Sequence, residues 1–371
     1  MIVVGAGAAG CSLALLLARR GYDILVLERD AVPRDAPQID NLGPADVFLL
    51  ERWGLAGELR ATGCPPAART TVWIGRVPME LDNPSEAPVT YAPRRGVLVS
   101  IASAAAMAAG AEMRRGFTAK DLVWDGEAVT GVVGHGPDGH SVFERARMVV
   151  GADGRSSLVA RVVDADAYDE HPSTNCCYSA YWRGAVTSGP EVFLGERRAV
   201  ALCPTDGALA WVVAARPVTD WSEFKRAPER MYLDQLADFP ELVGRLAPAA
   251  RESRLSGTAD LGSSLRRPWG PGWALLGDAG QPCDSSICLA TANVLVEAEM
   301  MARAIDEGFS GHRPLAGALA AYQRRRDARA MEARQVTRAL GTYDWTLEEA
   351  VDIVNRSRAV RLRELEAVVA S

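Results

Sequence analysis

The chain has 371 residues, 48% hydrophobic and 24% charged, with a formal net charge of −6. That composition excludes bulk disorder and fibrous architecture, and the acidic balance argues against a protein that holds nucleic acid by charge. At roughly 150 residues per domain the length suggests two or three domains, and of the 41 basic residues only Lys120 and Lys225 are lysine.

Met1 to Val4 reads as a strand, Gly5 to Gly10 as a glycine-rich turn, and Cys11 to Arg20 as a buried helix ending at Gly21. Asp23 to Leu27 is a second strand, closed by Glu28. Together they make a βαβ unit of about thirty residues, the length that a crossover between parallel strands requires. The first strand starts at Met1, so no domain is expected before it, and no basic segment precedes it as in a signal peptide. Val47 to Ala61 reads as one helix. Prolines 65, 66, 78, 84, 88 and 93 then punctuate a strand-rich excursion from the first sheet. A helix follows over Val97 to Ala109, then a hairpin over Asp121 to Val133 broken at Gly126, a turn at Gly136 to Gly139, and a strand over Met148 to Val150.

From Asp164 to Leu261 the pattern changes to short strands (Cys176–Trp182, Glu191–Leu194, Ala199–Leu202, Ala208–Ala215), an antiparallel sheet with a helix over Met231 to Leu246 packed beside it. Trp273 to Leu276 returns to a buried strand, Ala290 to Ile305 is a helix, and the chain beyond Pro314 is helical and arginine-rich. No stretch approaches the roughly 20 apolar residues of a membrane-spanning helix. The seven cysteines are scattered and form no CxxC, as expected of a reduced, cytoplasmic protein.

Gly5, Gly7 and Gly10 form a GxGxxG element between strand and helix. The first glycine permits the tight turn, the second lets backbone approach a pyrophosphate, and the third lets the helix pack closely on the strand. The pyrophosphate would sit at the positive helix N-terminus. Glu28 ends the second strand, where a carboxylate can accept both hydroxyls of an adenosine ribose, and Arg29 follows it. An acid there favours FAD or NAD over NADP. The bland alternative is a glycine turn in an unrelated α/β sheet. Two further strand-to-loop elements follow, one running from Gly151 through Asp153 and Gly154 to Ser157, the other from Trp273 through Gly277 and Asp278 to Gly280.

Three such elements in this order resemble the FAD-dependent monooxygenases of the aromatic-hydroxylase type, within the glutathione-reductase-like flavoproteins. Leu49-Leu-Glu-Arg-Trp-Gly-Leu55, Tyr91-Ala-Pro-Arg-Arg95 with Leu98, and Ala321-Tyr-Gln-Arg-Arg-Arg326 extend the resemblance over essentially the whole chain, to a bacterial branch of FAD-dependent oxidoreductases. The resemblance implies an α/β fold: a glutathione-reductase-like FAD-binding Rossmann domain, an inserted antiparallel β-sheet substrate domain and a helical C-terminal tail. The expected boundaries are 1–75, 96–163 and 262–310 for the discontinuous FAD-binding domain, 76–95 and 164–261 for the substrate sheet, and 311–371 for the tail. It also implies Asp153 and Gly154 near the pyrophosphate, Gly277 and Asp278 at the ribityl chain, and Arg95 in contact with the cofactor. A surface salt bridge is the alternative for Arg95.

Two segments depart from the branch. Where it has an Arg-Gly-Gly element, this chain reads Pro44-Ala45-Asp46. The loop expected beside the flavin ring reads Gln281-Pro282-Cys283-Asp284-Ser285-Ser286-Ile287-Cys288-Leu289-Ala290, with Ser285 for proline and Ala290 for glycine. Cys283 and Cys288 are read as small apolar filler, with a flavin thioether or redox pair as the alternative. Ser285 and Ser286 can cap the next helix or hydrogen-bond flavin or substrate.

Strand alternation puts Tyr178, Ala180 and Trp182 on one face with Cys176, and Leu209, Trp211 and Val213 on another. Tyr178, Trp182 and Trp211 are candidates to line a pocket for a flat hydrophobic molecule, against ordinary core packing. The four histidines carry no metal-ligand cluster, so no metal is expected. Flavin halogenases share the fold but use an active-site lysine and a Trp-x-Trp-x-Ile-Pro stretch, and neither is present.

The activity implied is oxygenation of a hydrophobic, aromatic or polyketide-like small molecule through a flavin C4a-(hydro)peroxide, with NAD(P)H as transient reductant. No catalytic residue is assigned. A dehydrogenase, reductase or cyclase with an altered flavin loop, and a non-enzymatic ligand-binding descendant, stand as alternatives.

Overall fold

The computed structural model describes residues 1–32, 37–284 and 294–371. Among the described residues the strands form four sheets, of which two organise the molecule. One has six strands in the order Trp269–Gly270, Trp273–Leu275, Val149–Gly151, Ile2–Val4, Leu25–Glu28, Glu112–Arg115. All its pairings are parallel except the terminal Trp269/Trp273 hairpin. Val3 sits opposite both Val26 and Val150, so three β-branched residues share one face.

Alternation splits this sheet cleanly. Val3, Val26, Val150 and Ala274 face a helical layer, while Ile2, Val4, Leu27, Val149 and Leu275 face a three-stranded antiparallel sheet (Thr118–Asp125, Ala128–His135, Ser141–Arg145). The helix Ala8–Ala18 is buried from Ala9 to Ala18, because it lies between the sheet and the helices Arg95–Ala108 and Val294–Phe309. A helix enclosed on all sides needs no polar face.

The large sheet runs Ala250–Arg251, Asn175–Arg183, Leu209–Pro217, Arg198–Thr205, Glu191–Gly195, Arg69–Ile74, Val77–Asp82, and Ser256–Thr258 also pairs with Asn175–Arg183. Its one parallel pairing joins Glu191–Gly195 to Arg69–Ile74. Cys176, Tyr178, Ala180 and Trp182 lie under the helices Trp221–Arg226, Pro228–Ala237 and Pro240–Leu246. Cys177, Tyr181, Trp211 and Val213 face the opposite way, toward the long C-terminal helices Leu315–Gly341 and Leu347–Val369. Among the described residues no helix is long and apolar enough to cross a membrane.

Several elements differ from the sequence reading. The helix expected over 47–61 is two, Pro44–Arg52 and Ala56–Ala61, divided where Gly54 adopts φ +73°; that left-handed conformation ends a helix and suits glycine. The helix expected over 231–246 is also two, because Pro240 supplies no amide hydrogen and holds Phe239 extended. Arg69–Ile74 lies in the large sheet, across the expected boundary at 75, since its partners are Glu191–Gly195 and Val77–Asp82. The helix expected from Ala290 is described from Val294 to Phe309, and its first residues lie outside the described residues.

Asp46, at the departure from the branch pattern, is buried inside the start of its helix and accepts the Gly43 amide at 3.0 Å. Burial pushes its carboxyl up to about 7, against the pull of that hydrogen bond and of Arg329. Because the folded value is raised, the stability this group contributes is largest at acid pH and is lost as pH rises through about 7. Asp46→Asn therefore stabilises the protein above pH 7, by about 1–3 kcal/mol, and flattens the pH 5–8 slope. Chemical denaturation of both proteins across that range checks it.

Candidate cofactor site

The site lies at the carboxyl ends of Ile2–Val4, Leu25–Glu28, Val149–Gly151 and Trp273–Leu275, where open parallel sheets hold ligands. Three glycines shape its floor for different reasons. A Cβ on Gly5 (φ +103°) would lie 2.4 Å from the Ala152 carbonyl oxygen, and one on Gly10 would lie 2.1 Å from the Gly5 oxygen. Both positions are closed by protein backbone. A Cβ on Gly7 would meet open space, and Gly7 is exposed at the N-cap of Ala8–Ala18. No side chain caps that helix and no acid stands in its first turn. Its amides and dipole are thus turned toward a concavity suited to an anion.

Glu28 braces the same turn. Its Oε2 accepts the Ala6 amide at 2.7 Å and its Oε1 the Asp30 amide at 2.8 Å, which leaves each oxygen a further lone pair. Arg29 is exposed beside it and pairs with Asp30 at 3.6 Å. Asp153 accepts the Ser157 hydroxyl at 2.5 Å and the Leu158 amide at 2.7 Å, so its carboxylate holds the start of the helix Leu158–Val162. Gly154 follows at φ +79° with open space where a Cβ would stand.

The Gly277-Asp278 turn packs onto the first helix. A Cβ on Gly277 (φ +63°) would lie 3.2 Å from the Ala9 Cβ. The Asp278 side chain is open to the cleft but walled by protein, and burial pushes its carboxyl up against the opposing charges of Arg155 and Arg95. Arg95 reaches across from the start of its helix to Asp40 (3.3 Å) and Gln38 (3.0 Å), and Asp40 holds its guanidinium above the ordinary value. The second Asp40 oxygen, Oδ2, is buried without a hydrogen-bond partner.

Sequence reasoning did not single out Glu297, Arg155, Asp40, Gln38 or Tyr343. Glu297 is a buried acid in the helix behind the Gly277 turn; it accepts the Gly277 amide (3.2 Å), Gln281 Nε2 (2.7 Å) and the Tyr322 hydroxyl (2.7 Å). An acid inside an apolar helical run was the available signal. Arg155 stands within the Asp-Gly element and donates to the carbonyls of Gly262 (2.5 Å) and Cys283 (3.3 Å). Burial pushes the Cys283 thiol up to about 12, which favours its neutral form. Asp284 is buried and accepts Asn175 Nδ2. Nearby, the Tyr343 hydroxyl and Asn175 Oδ1 are buried without partners, and Tyr343 adopts φ +53°. Ser285, Ser286, Cys288 and Ala290 lie outside the described residues.

The aromatic candidates separate. Tyr178 packs on Trp221 and Phe224, and Trp182 Nε1 donates to the Tyr232 hydroxyl at 3.0 Å, both under the outer helices and away from the cleft. Trp211 is buried on the opposite face, toward the C-terminal helices, and its Nε1 donates to the Pro37 carbonyl at 2.7 Å. Tyr181, on the same face, exchanges hydrogen bonds with Gln38. The segment 37–40 is thus clipped to the large sheet and carries the partners of Arg95.

A parallel sheet with a glycine cradle at an uncapped helix, an acid after the second strand and an accessible aspartate beside it defines a dinucleotide-binding flavoprotein fold. The family described as FAD binding domain matches residues 1–231, and the chain belongs to it. Among relatives of known activity, a digeranylgeranylglycerophospholipid reductase of Methanothermobacter thermautotrophicus is 27% identical over 83% of this chain and 79% of its own length. A menaquinone reductase of Mycolicibacterium smegmatis is 32% identical over 44% of this chain and 39% of its own. The flavin-dependent brominase Bmp2 superposes with a TM-score of 0.81 at 19% identity, covering 99% of this chain and 98% of that one. A probable FAD-dependent monooxygenase from Pseudomonas aeruginosa gives 0.79 at 22% identity, covering 95% and 98%. The chain is an FAD-dependent oxidoreductase of this fold.

The residues present fit FAD: the open helix terminus suits a pyrophosphate, and Asp278 and the unpartnered Asp40 oxygen suit hydroxyl donors. Gly7→Ala should separate folding from binding. Its Cβ meets no protein atom, so the FAD-free protein should unfold at the wild-type temperature, whereas FAD affinity falls at least about tenfold. Calorimetric unfolding and FAD titration measure the two effects, and Gly10→Ala should instead impair folding.

Proposed function

We propose that the protein is an FAD-dependent monooxygenase acting on a hydrophobic small molecule, with NAD(P)H as a transient reductant. The observation that carries this reading is the cofactor cradle at the carboxyl ends of the parallel sheet, tied to the large sheet by segment 37–40 through Tyr181, Trp211 and Arg95. Bound flavin would supply the redox chemistry and oxygen activation. Gly5 to Gly10 and the first helix would hold its pyrophosphate, Glu28 its adenosine ribose, Asp153 and Gly154 would line the pyrophosphate side, and Asp278, beside Arg95, would take the ribityl chain. The Trp211 indole and the Ser179 and Tyr181 hydroxyls donate to the carbonyls of Pro37 and Gln38, which fixes that segment on the large sheet.

The Tyr343 phenol is buried, which pushes its titration further up, and its hydroxyl has no hydrogen-bond partner among the described residues, so it is available to a bound molecule near Asp284. Tyr343→Phe should stabilise the ligand-free protein, by about 1 kcal/mol, since an unsatisfied buried hydroxyl is removed. The same change should raise KM for substrate, or shift the bound-flavin spectrum, because the hydrogen bond to the ligand is lost. Thermal unfolding paired with kinetics and spectroscopy tests both halves.

A second reading, flavin-dependent reduction or dehydrogenation without oxygen insertion, is favoured by the reductases among the relatives and by the altered loop after Asp284. Halogenation by way of a lysine has little support: Lys120 lies on an exposed strand of the three-stranded sheet and Lys225 on the outer helix Trp221–Arg226. The purified protein should carry or take up FAD, lose its flavin absorbance on anaerobic NAD(P)H, and place one atom of ¹⁸O₂ in the product. FAD-dependent turnover without label would select the second reading.

A further inference from the structure

A cavity of about 560 Å³ opens on the helical side of the molecule, between Val294–Phe309, Leu315–Gly341, Leu49 of Pro44–Arg52 and the end of Leu347–Val369. It shares no residue with the cofactor cradle. Its size falls within the range of small-molecule sites. The walls are mostly apolar, built from Leu49, Val296, Met300, Ala304, Ala318 and Val368. Tyr322 forms part of the wall, but its hydroxyl is committed to Glu297, so this part presents a ring and no free donor.

Charge at the lining is unbalanced. Arg303 pairs with Glu299 at 3.1 Å, and Arg313 with Glu307 at 3.4 Å. Arg329 pairs with Glu364. Glu299 is further held by the Trp53 indole at 2.9 Å. Arg325, also on the lining and exposed, has no ion pair among the described residues. An apolar chamber with a surplus guanidinium matches one chemistry: a hydrocarbon tail to displace water from the walls and an anionic head to meet the cation.

We propose that this cavity is a second ligand site, which binds a single-chain amphiphile with an anionic head group, of the fatty-carboxylate type. The proposal is independent of the oxidoreductase reading, because the two sites have no lining residue in common.

The test is calorimetric titration of the FAD-loaded full chain with dodecanoate below its micellar concentration. The expected result is saturable binding of one molecule per chain. A dodecyl chain bearing trimethylammonium should bind at least about tenfold more weakly, and Arg325→Glu should weaken dodecanoate by about the same factor. Ala321→Trp, which fills the chamber, should abolish binding while flavin absorbance is retained. Should that variant lose its flavin or fail to fold, Ala328→Trp at the same lining serves instead. Absence of saturable dodecanoate binding overturns the proposal. So does binding that the blocking variant leaves unchanged, which would put the tail elsewhere, or equal affinity for the cationic amphiphile.

Discussion

The structure depends on one close approach of backbone to backbone. Gly5 and Gly10 bring the first helix, the first strand and the Ala152 carbonyl together at distances where no Cβ fits. That contact fixes the helix N-terminus at the carboxyl ends of the parallel strands. The Gly277 turn then rests against Ala9, so the third cofactor element is positioned by the first. A side chain at either glycine would push these elements apart and open the cradle.

Around this contact the protein places carboxylates, Glu297 buried and Glu28 and Asp153 half-buried, that hold loops instead of stabilising the core. Glu297 clamps the Gly277 amide and Gln281 from behind, and Asp153 and Glu28 hold the other two turns. Each carboxylate accepts hydrogen bonds that would otherwise be missing from a strained loop, and a buried acceptor with donors in place is the arrangement that avoids an unsatisfied group. The cost of burial is visible where such donors are few, as in the raised carboxyl of Asp46.

The two large sheets are joined by a short polar bridge. Segment 37–40 is fastened to the outer sheet by Ser179, Tyr181 and Trp211 and to the cofactor side by Arg95. One face of the large sheet packs against the C-terminal helices and the other against the outer helices. One strand thus serves two cores: Tyr178 and Trp182 lie under the outer helices, and Tyr181, between them, lies on the side of the C-terminal helices.

The βαβ unit, the three cofactor elements and the strand-rich insertion were legible in the sequence, because they rest on local rules: glycine where a turn needs it, β-branched runs in buried strands, and alternation along a sheet. The resemblance supplied roles for Asp153, Asp278 and Arg95 that no local pattern contains. Tertiary structure alone decided which helices cover each face of the sheet, since alternation divides residues into two sets without saying what covers each. It also decided that the position of a Gly7 Cβ is open space while those of Gly5 and Gly10 are closed, and that Glu297 meets Gly277 and Asp40 meets Arg95. The members of each pair come from different segments of the chain, and only packing brings them together.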